Sequence, residues 1–284
     1  MRLVRYGEAG AEKPGMLDDA GQLRDLSYVI ADITPDQLDP IALDILRSIE
    51  PKTLPLVPGN PRLGAPVRGI GKMICIGLNY KDHAEEVGKA PPPEPQIFNK
   101  AINSLCGPFD PIIRPKNSKK LDHEIELAVI FGSTCRYVSK ADALKHVAGY
   151  ATFNDISERE FQMEHGGGSV KGKSADNFGP LGPWLVTADA VPNPDNLKIW
   201  CEVNGVRYQD GTTANLVFNV ARCIADLSRF MTFLPGDVLA TGTPAGVGHG
   251  AKPTPRYMQP GDIMRCGIEG LGDQEHTVVD YSGN

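Results

Sequence analysis

Short apolar runs separated by glycine and proline turns dominate the chain from Lys72 onward. Runs of this length and spacing are typical of strands in a protein that is mostly β. Only a few helical segments stand between them, so the pattern predicts an α+β fold, mostly β, built as a sandwich or roll. The runs that carry this prediction are MICIGL, EIELAVIFG, HVAGYATFN, LKIWCEVNG, DVLATG and DIMRCGIEG.

One helix is clear in the second half of the chain, in the segment VFNVARCIADLSRFM at residues 217–231. Its apolar residues recur every three or four positions, as they do on one face of a helix, and the LPG that follows would end it. We therefore predict a helix with one buried stripe. The stripe consists of Val217, Val220, Ile224, Leu227 and Met231.

The amino-terminal part begins with the alternating run RLVRY and continues to DPIALDILRSI, in which Ile41, Ile45 and Ile49 recur at helical spacing. Five prolines then fall between positions 51 and 66, too many for a helix or a central strand. We place a domain boundary there. The prediction is a small amino-terminal domain with a proline-rich linker at residues 1–65 and a larger domain at residues 66–284.

Composition narrows the classes of function. The 284 residues carry a net charge of -6 with scattered basic residues, which argues against a nucleic-acid binder. Six widely spaced cysteines without a C-x-x-C pair indicate reduced thiols, as in a cytosol. No signal-peptide core and no apolar run of about 18 residues are present, so we predict a cytoplasmic protein that does not enter a membrane.

The stretch GGSVKGKS at residues 167–174 fits the letters of a phosphate-binding loop, G-x-x-x-x-G-K-[ST]. Such a loop needs a buried strand before it and a helix after it, so that backbone N–H groups converge on the phosphate. The upstream SEREFQMEH is charged, and the downstream SADNFGPLGPW contains glycines and prolines that oppose a helix. We reject the nucleotide-binding interpretation, which leaves Lys173 to be explained.

Three carboxylates form a candidate metal site. In DHEIELAVIFG, strand alternation places Glu124 and Glu126 on one face, about 6.5 Å apart. A lone pair of this kind is common on an exposed edge, and the third acid, Asp155, would ordinarily cap a helix or form a turn, here before a helix capped by Ser157. Together the three acids would make a hard oxygen site that suits Mg²⁺ or Mn²⁺.

A histidine and a glutamate lie three residues apart in NYKDHAEEVG, where a short helix would end at Gly88. His83 and Glu86 would share a helical face, so that the carboxylate orients the imidazole and raises its basicity. This is the geometry of a general base, although an exposed helix with ordinary charges fits the pattern too. The PPPEP loop that follows could serve as a hinged lid.

Six blocks in fixed order give the chain a specific resemblance. They are GLNYKDHAEE, DHEIELAVIFG, FNDISERE, KGKSADNFGPLGPW, VNGVRYQDG and TGTPAGVG, and together they span about residues 70 to 270. The chain thereby resembles the fumarylacetoacetate hydrolase family. The resemblance implies a mixed β-sandwich roll, a small amino-terminal domain and a homodimer.

The same resemblance implies roles for individual residues. The metal ligands would be Glu124, Glu126 and Asp155, the water-activating dyad on a mobile lid His83 and Glu86, and the active-site cation Lys173. Arg159 and Gln162 match positions that contact substrate, and Thr243 matches a residue that lines the metal pocket. The cofactor would be Mg²⁺ or Mn²⁺ and the partner a small oxo-acid substrate.

Within the family, the opening residues and GKSADNFGPLGPWLVTADAV are most similar to the branch of the 2,4-diketo-3-deoxy-L-rhamnonate hydrolases. Many members of that branch are named ureidoglycolate lyase. The implied reaction is metal-dependent cleavage of a C–C bond in a 2,4-dioxo acid, releasing pyruvate and a second acid in sugar-acid catabolism. A lyase or decarboxylase on the same metal platform, acting on ureidoglycolate or oxaloacetate, and a non-catalytic ligand-binding protein remain as alternatives.

Two departures from that branch concern the far end of the substrate. His123 stands where Tyr or Trp is common between the acids, and GGGSV precedes KGKS where the branch usually has a tryptophan. Both leave the distal substrate group open.

Overall fold

The structure is a computed structural model that describes residues 1–283. It confirms the α+β, mostly β class. The strands, numbered along the chain, are β1 Arg2–Tyr6, β2 Lys13–Leu17, β3 Leu23–Asp25, β4 Leu63–Gly64, β5 Met73–Gly77, β6 Gln96–Lys100, β7 Leu105–Cys106, β8 Ile112–Arg114, β9 Leu121–Asp122, β10 Ile125–Phe131, β11 Val147–Asn154, β12 Ser157–Glu158, β13 Gly179–Pro180, β14 Leu185–Thr187, β15 Lys198–Val203, β16 Val206–Thr212, β17 Val238–Ala240, β18 Ile263–Ile268 and β19 Gly272–Asp280. The α-helices are α1 Pro40–Arg47, α2 Lys81–Glu86, α3 Arg159–Met163, α4 Ser169–Lys173 and α5 Val220–Leu227.

Two sheets carry most of the strands. The larger has the order β3-β2-β1-β14-β11-β10-β17-β5-β6, with β4 beside β1, and the smaller has the order β16-β15-β18-β19-β8. Two further pairs of short strands, β12 with β9 and β13 with β7, form separate two-stranded sheets. Most contacts are antiparallel, but β5 runs parallel to β17, and β8 runs parallel to β19.

Strand β10 is the centre of the fold because it is buried on both faces. Leu127 and Val129 pack into a core that also contains Ile199 of the smaller sheet. Ala128 and Ile130 face a second core, shared with apolar residues of the amino-terminal part. The two acids of the D-H-E-I-E segment have the parity of this second face, so the fold carries them into the protein rather than to a solvent-facing edge.

The amino-terminal strands extend the larger sheet. Strand β1 pairs with β2 on one side and with β14 on the other, where Arg2 lies opposite Val186. The boundary at residue 65 stays a prediction, since this pairing describes how the segments join and not whether they fold separately.

Helix α1 exists, but the stripe predicted for it is wrong. Ile41 is 74% exposed and Ile45 is 59% exposed, whereas Leu43 and Leu46 are buried. Asp39 caps the helix by accepting from the backbone N–H of Ile41. Both the isoleucine and the leucine sets have helical spacing, and the short helix turns the leucines toward the core.

Helix α5 is shorter than the predicted segment. It starts after Asn219, whose side chain accepts from the N–H of Arg222, and it ends at Leu227. Val220 and Ile224 are buried as predicted, together with Leu227. Val217 and Met231 lie outside the helix, which begins three residues after the predicted start because Asn219 caps its first turn, and which ends four residues before the predicted end.

The six cysteines are free thiols, and all are buried. Burial raises the pKa of Cys106, Cys135, Cys223 and others, so these thiols are poor nucleophiles. Through residues 1–283, every helix is too short or too polar to span a bilayer.

Candidate metal centre and catalytic dyad

The three predicted carboxylates meet where β10 and β11 pair. Ile125 lies opposite Asn154, and the backbone N–H of Asp155 donates to the carbonyl of Glu124 at 2.8 Å. This pairing brings Asp155 to the side of Glu124 and Glu126. One carboxylate oxygen from each of the three acids lies within 4.8 Å of the others, and all three residues are buried. The structure thus brings the predicted ligand set together.

Lys173 lies inside this cluster. Its Nζ donates to Glu124 Oε2 at 2.7 Å and to Asp155 Oδ2 at 2.5 Å. Burial alone would lower the pKa of Lys173, but the charges of Asp155 and Glu124 raise it to about 12. Lys173 is therefore a permanent cation at neutral pH.

The letters of a phosphate loop around Lys173 have a packing explanation. Helix α4 ends at Lys173 instead of starting there, and α3 precedes the glycines where a strand would be needed. Gly172 lies against α3, so that an added Cβ would come within 2.4 Å of Gln162 Cβ and 2.7 Å of the carbonyl of Glu158. Only glycine allows this approach, which puts the amine of Lys173 among the carboxylates.

Lys100 is a second buried cation, which the sequence reasoning missed. It ends strand β6 with a side chain that is 0% exposed, and its Nζ donates to Asp155 Oδ1 at 2.6 Å and to the carbonyl of Ile156 at 3.0 Å. The only signal in the sequence is a lysine at the end of a strand-like run, QIFNK, next to a turn. Nothing local connects it with an acid 55 residues away.

Arg159 is the third cation, and it joins Glu124 to a further acid. Its Nε donates to Asp122 Oδ2 at 2.9 Å, and its Nη2 lies 2.6 Å from Glu124 Oε1. Its Nη1 donates to the side-chain oxygen of Gln162 at 3.3 Å. The two residues predicted to contact substrate therefore touch each other beside the carboxylates. The sequence analysis did not identify Asp122. The one signal for it is that it lies two residues before Glu124, a spacing that places both acids on the same face of a strand.

The helix that carries Arg159 is capped differently from the prediction. Glu158 is the cap, accepting from the backbone N–H of Glu160. Ser157 lies in β12, and its hydroxyl donates to the carbonyl of Asp155 at 2.9 Å. Ser157 does not cap the helix because α3 begins at Arg159, which makes Glu158 the residue before its first turn, and the Ser157 hydroxyl is already bonded to Asp155.

The charges in the cluster divide the acids into two kinds. Burial favours the protonated form of Glu124, but the charges of Arg159 and Lys173 outweigh it and lower its pKa. Burial raises the pKa of Glu126 well above its ordinary value, and the charges of Asp155 and Glu124 raise it further. Glu126 accepts one hydrogen bond, from the N–H of Gly242 at 2.9 Å, and no cationic side chain within residues 1–283 pairs with it. Glu126 is thus held by backbone alone, unlike Glu124 and Asp155, which bond to lysine or arginine side chains.

The predicted dyad forms on helix α2. His83 Nδ1 lies 2.9 Å from Glu86 Oε2, and His83 is 8% exposed. The predicted stop at Gly88 is confirmed by its φ of 68°, a conformation that favours glycine.

The loop at residues 244–250 connects the dyad with Asp122, which Arg159 joins to Glu124. The N–H of Gly246 donates to Glu86 Oε1 at 2.8 Å, and the N–H of Gly248 donates to Asp122 Oδ1 at 2.7 Å. A Cβ added at Gly250 would lie 2.3 Å from the carboxyl carbon of Glu86. The glycines of TGTPAGVGHG therefore let the backbone approach both acids closely.

Thr243 lies at the start of this loop, but its hydroxyl is already engaged. It donates to the carbonyl of Ile125 at 2.8 Å and accepts from Gln209 Nε2 at 2.7 Å. The role predicted for Thr243 beside the metal stays a prediction, and the hydrogen bonds show that it fixes the start of β10.

Residues 72–279 match the family of the fumarylacetoacetate (FAA) hydrolase C-terminal domain. The chain belongs to this family. A protein of Burkholderia lata, whose name goes no further than hydrolase, is 54% identical over 98% of this chain and 99% of its own.

Two solved structures extend the comparison. The fumarylacetoacetate hydrolase of Exiguobacterium antarcticum has a TM-score of 0.86 and 37% identity, over 99% of this chain and 100% of its own. The maleylpyruvate hydrolase of Sphingobium sp. SYK-6, in complex with manganese(II) and pyruvate, has a TM-score of 0.81 and 30% identity, over 99% of both chains. Other neighbours of this fold carry the names of isomerases.

Proposed function

We propose that this protein is a metal-dependent hydrolase that cleaves a C–C bond in a 2,4-dioxo acid and releases pyruvate and a second acid. The observation that carries the proposal is a histidine–glutamate dyad joined by the segment 242–250 to Glu126, one of three clustered carboxylates. A related hydrolase that holds manganese(II) and pyruvate supports the same chemistry. The resemblance to the rhamnonate branch supports a substrate from sugar-acid catabolism.

The residues present fit a hard divalent ion. Glu124, Glu126 and Asp155 offer only oxygen donors, which suit Mg²⁺ or Mn²⁺ and suit zinc poorly. Glu126 is buried and has no cationic side chain bonded to it within residues 1–283, so a divalent ion would supply the compensating charge. When bound, such an ion would act as a Lewis acid toward the 1-carboxylate and 2-oxo group of the substrate.

The dyad supplies the base. Glu86 Oε2 accepts the Nδ1–H of His83, which leaves Nε2 with a lone pair that can take a proton from water. Gly246 holds the other oxygen of Glu86, so the carboxylate cannot turn away. The resulting hydroxide attacks the 4-oxo carbon of the substrate and gives a tetrahedral oxyanion.

Lys173 supplies a fixed positive charge beside the reacting atoms. A buried cation that does not have to reorganise stabilises developing negative charge by about 3 kcal/mol, by analogy with oxyanion donors elsewhere. The C3–C4 bond of the tetrahedral species then breaks, with its electron pair passing to C3 as the enolate of pyruvate. Protonation at C3 gives pyruvate, and C4 leaves as the carboxyl carbon of the second acid.

Removing the base tests this proposal. His83→Ala should lower kcat for a hydrolysable 2,4-dioxo acid by about 10²–10⁴-fold, because a general base contributes that much. Its Mg²⁺ affinity, measured by calorimetric titration, should stay near that of the wild type, since His83 is no ligand. Unchanged turnover in His83→Ala would remove the dyad from the mechanism.

A lyase or decarboxylase on the same site would need the metal but no attacking water. The oriented imidazole of His83 favours hydrolysis over both. Turnover in ¹⁸O-water separates the cases, because hydrolysis puts one labelled oxygen into the second acid. A product without label would count against hydrolysis and for the lyase class.

A further inference from the structure

Lys173 is the one cationic side chain within residues 1–283 that is bonded to two of the three predicted metal ligands. Its Nζ donates to Glu124 Oε2 at 2.7 Å and to Asp155 Oδ2 at 2.5 Å. The remaining oxygens of these two acids are bonded as well, one to Arg159 Nη2 and the other to Lys100 Nζ. An ion that binds either acid therefore takes an oxygen that already touches a positive side chain.

The ammonium group of Lys173 is enclosed by its surroundings. The side chain is 2% exposed, and Nζ lies 5.2 Å from the centre of the Phe98 ring. The neighbouring Gly172 lies against α3, where an added Cβ would come within 2.7 Å of the carbonyl oxygen of Glu158. Close packing on the backbone and on the side chain thus holds the amine among the carboxylates, and a bound ion has this positive charge as a neighbour.

The formal charges of the cluster would not balance once a divalent ion is bound. Three cationic side chains are bonded to its acids, and the acids are Asp122, Glu124, Glu126 and Asp155. Carboxylates that ligate a metal are ionised, so the ion would leave the cluster with one positive charge in excess. Such an excess is costly in a buried site unless an opposite charge joins it. One carboxylate of a ligand would restore neutrality.

We propose that Lys173 couples the binding of the ion to that of the acid. Its charge weakens binding of a divalent ion to the acid-free site, and it favours a monoanionic acid on the loaded site. The ion and the acid then bind with positive cooperativity, and each raises the affinity of the other by the same factor. The inference rests on the proposed metal-dependent hydrolysis, and it concerns assembly of the site instead of the bond-breaking step.

The test is a calorimetric titration of the full chain with Mg²⁺ at neutral pH, without any acid and with an excess of pyruvate. Lys173→Met removes the charge and keeps an unbranched side chain. Without acid, Mg²⁺ should bind this variant about tenfold more tightly than the wild type, because a like charge close to the ion is gone. The factor by which pyruvate raises Mg²⁺ affinity should fall about tenfold, because the loaded site no longer carries an excess charge.

Two further variants separate the charge of Lys173 from its packing. Lys173→Gln keeps a hydrogen-bond donor for the carboxylates but not the charge, so its Mg²⁺ affinity without acid should rise as in Lys173→Met. Lys72→Met is the matched control. Lys72 bonds Asp237 at the opposite end of β10, where the carbonyl of Asp237 accepts the N–H of Phe131, so this variant should bind Mg²⁺ as the wild type does. Circular dichroism in the presence of chelator identifies the variants that fold.

The outcomes distinguish this inference from the proposed function. If the wild type binds neither Mg²⁺ nor Mn²⁺, with or without pyruvate, the metal-dependent function fails and this inference fails with it. If the wild type binds the ion and cleaves a 2,4-dioxo acid, but a folded neutral variant binds Mg²⁺ no more tightly, hydrolysis stands and the coupling role of Lys173 is overturned. Wild-type protein whose Mg²⁺ affinity is the same with and without pyruvate would overturn it as well.

Discussion

Two buried clusters of charge stand in this protein, and they are compensated differently. In the first, arginines and acids join the amino-terminal strands to the rest of the fold. In the second, at the ends of β10 and β11, three cations face four acids. Comparing them shows which cluster is complete through its own side chains and which leaves one acid for the proposed ion.

The amino-terminal cluster is satisfied by its own members. Arg5 binds Asp32 at 2.7 Å and Glu12 at 3.3 Å, and Arg62 binds Glu12 at 3.0 Å and Asp110 at 2.6 Å. Burial favours the protonated acids, but hydrogen bonds from the arginines outweigh it and lower the pKa of Asp32 and Glu12. Every carboxylate in this network touches a guanidinium.

In the second cluster, one carboxylate has no cationic side chain bonded to it among the residues that the structure describes. Lys173, Lys100 and Arg159 are all committed to Glu124, Asp155 or Asp122. Within residues 1–283, the hydrogen-bond partner of Glu126 is the backbone N–H of Gly242, and burial raises its pKa instead of lowering it. We therefore interpret a buried acid that is bonded to a cationic side chain as structural. A buried acid without such a bond, next to other acids, is a candidate metal ligand.

Breaking the complete network should have the largest effect on stability. Asp32→Asn leaves the buried guanidinium of Arg5 without its main partner, and removing one member of a buried pair costs about 3–5 kcal/mol. Urea denaturation should show this loss. Turnover at a temperature where the variant stays folded should be unchanged, and a loss of activity there would mean that the network serves the site.

Breaking the incomplete cluster should instead act on the metal. Glu126→Gln would remove one of the three proposed oxygen ligands, and we expect Mg²⁺ affinity to fall about 100-fold, equivalent to about 2.7 kcal/mol. Calorimetric titration measures it. Glu12→Gln is the control, a buried glutamate in the other cluster whose loss should leave Mg²⁺ affinity as it is. Equal affinities in all three proteins would exclude Glu126 as a ligand.

The smallest expected effect concerns the free energy of unfolding of the metal-free protein, to which the two clusters should contribute with opposite dependence on pH. The folded pKa of Asp32 is lowered, so its contribution to stability is present above the ordinary value of 3.8 and is lost as pH falls through the lowered value. The folded pKa of Glu126 is raised, so the folded state loses stability as pH rises from 4.5 toward the raised pKa, by about 1.4 kcal/mol per pH unit.

Substitutions of Asp32 and Glu126 should therefore change the unfolding free energy in different pH ranges. In Asp32→Asn, the unfolding free energy should fall less steeply as the pH is lowered into the acid range. Glu126→Gln should stabilise the metal-free protein near neutral pH. Unfolding free energies measured with chelator from acid to neutral pH report both. A Glu126→Gln protein that is less stable than the wild type at neutral pH would contradict the uncompensated carboxylate.

Local spacing predicted the parts of the site that lie close in sequence. Alternation in β10 put Glu124 and Glu126 on one face, and the three-residue spacing on α2 put His83 against Glu86. These contacts follow from the geometry of one strand or one helix. The third ligand, Asp155, came from its position at the end of an apolar run, and the family resemblance assigned Lys173.

Contacts between distant segments could not be predicted in this way. Lys100 reaches Asp155 across 55 residues, and Asp122 meets the N–H of Gly248 across 126. In α1, two apolar sets with the same helical spacing competed, and only the tertiary packing selected Leu43 over Ile41. Periodicity identifies an element, whereas the choice of buried face depends on what the fold places beside it.

The proposed chemistry depends on one hard ion bound between Glu124, Glu126 and Asp155. An anomalous difference map from crystals of this protein soaked in Mn²⁺ would show the ion itself. We expect one strong peak in contact with an oxygen of each of the three carboxylates, on the side that faces His83. A cluster that stays without a peak while manganese binds elsewhere, or a peak that Glu126 does not reach, would contradict the proposed metal centre.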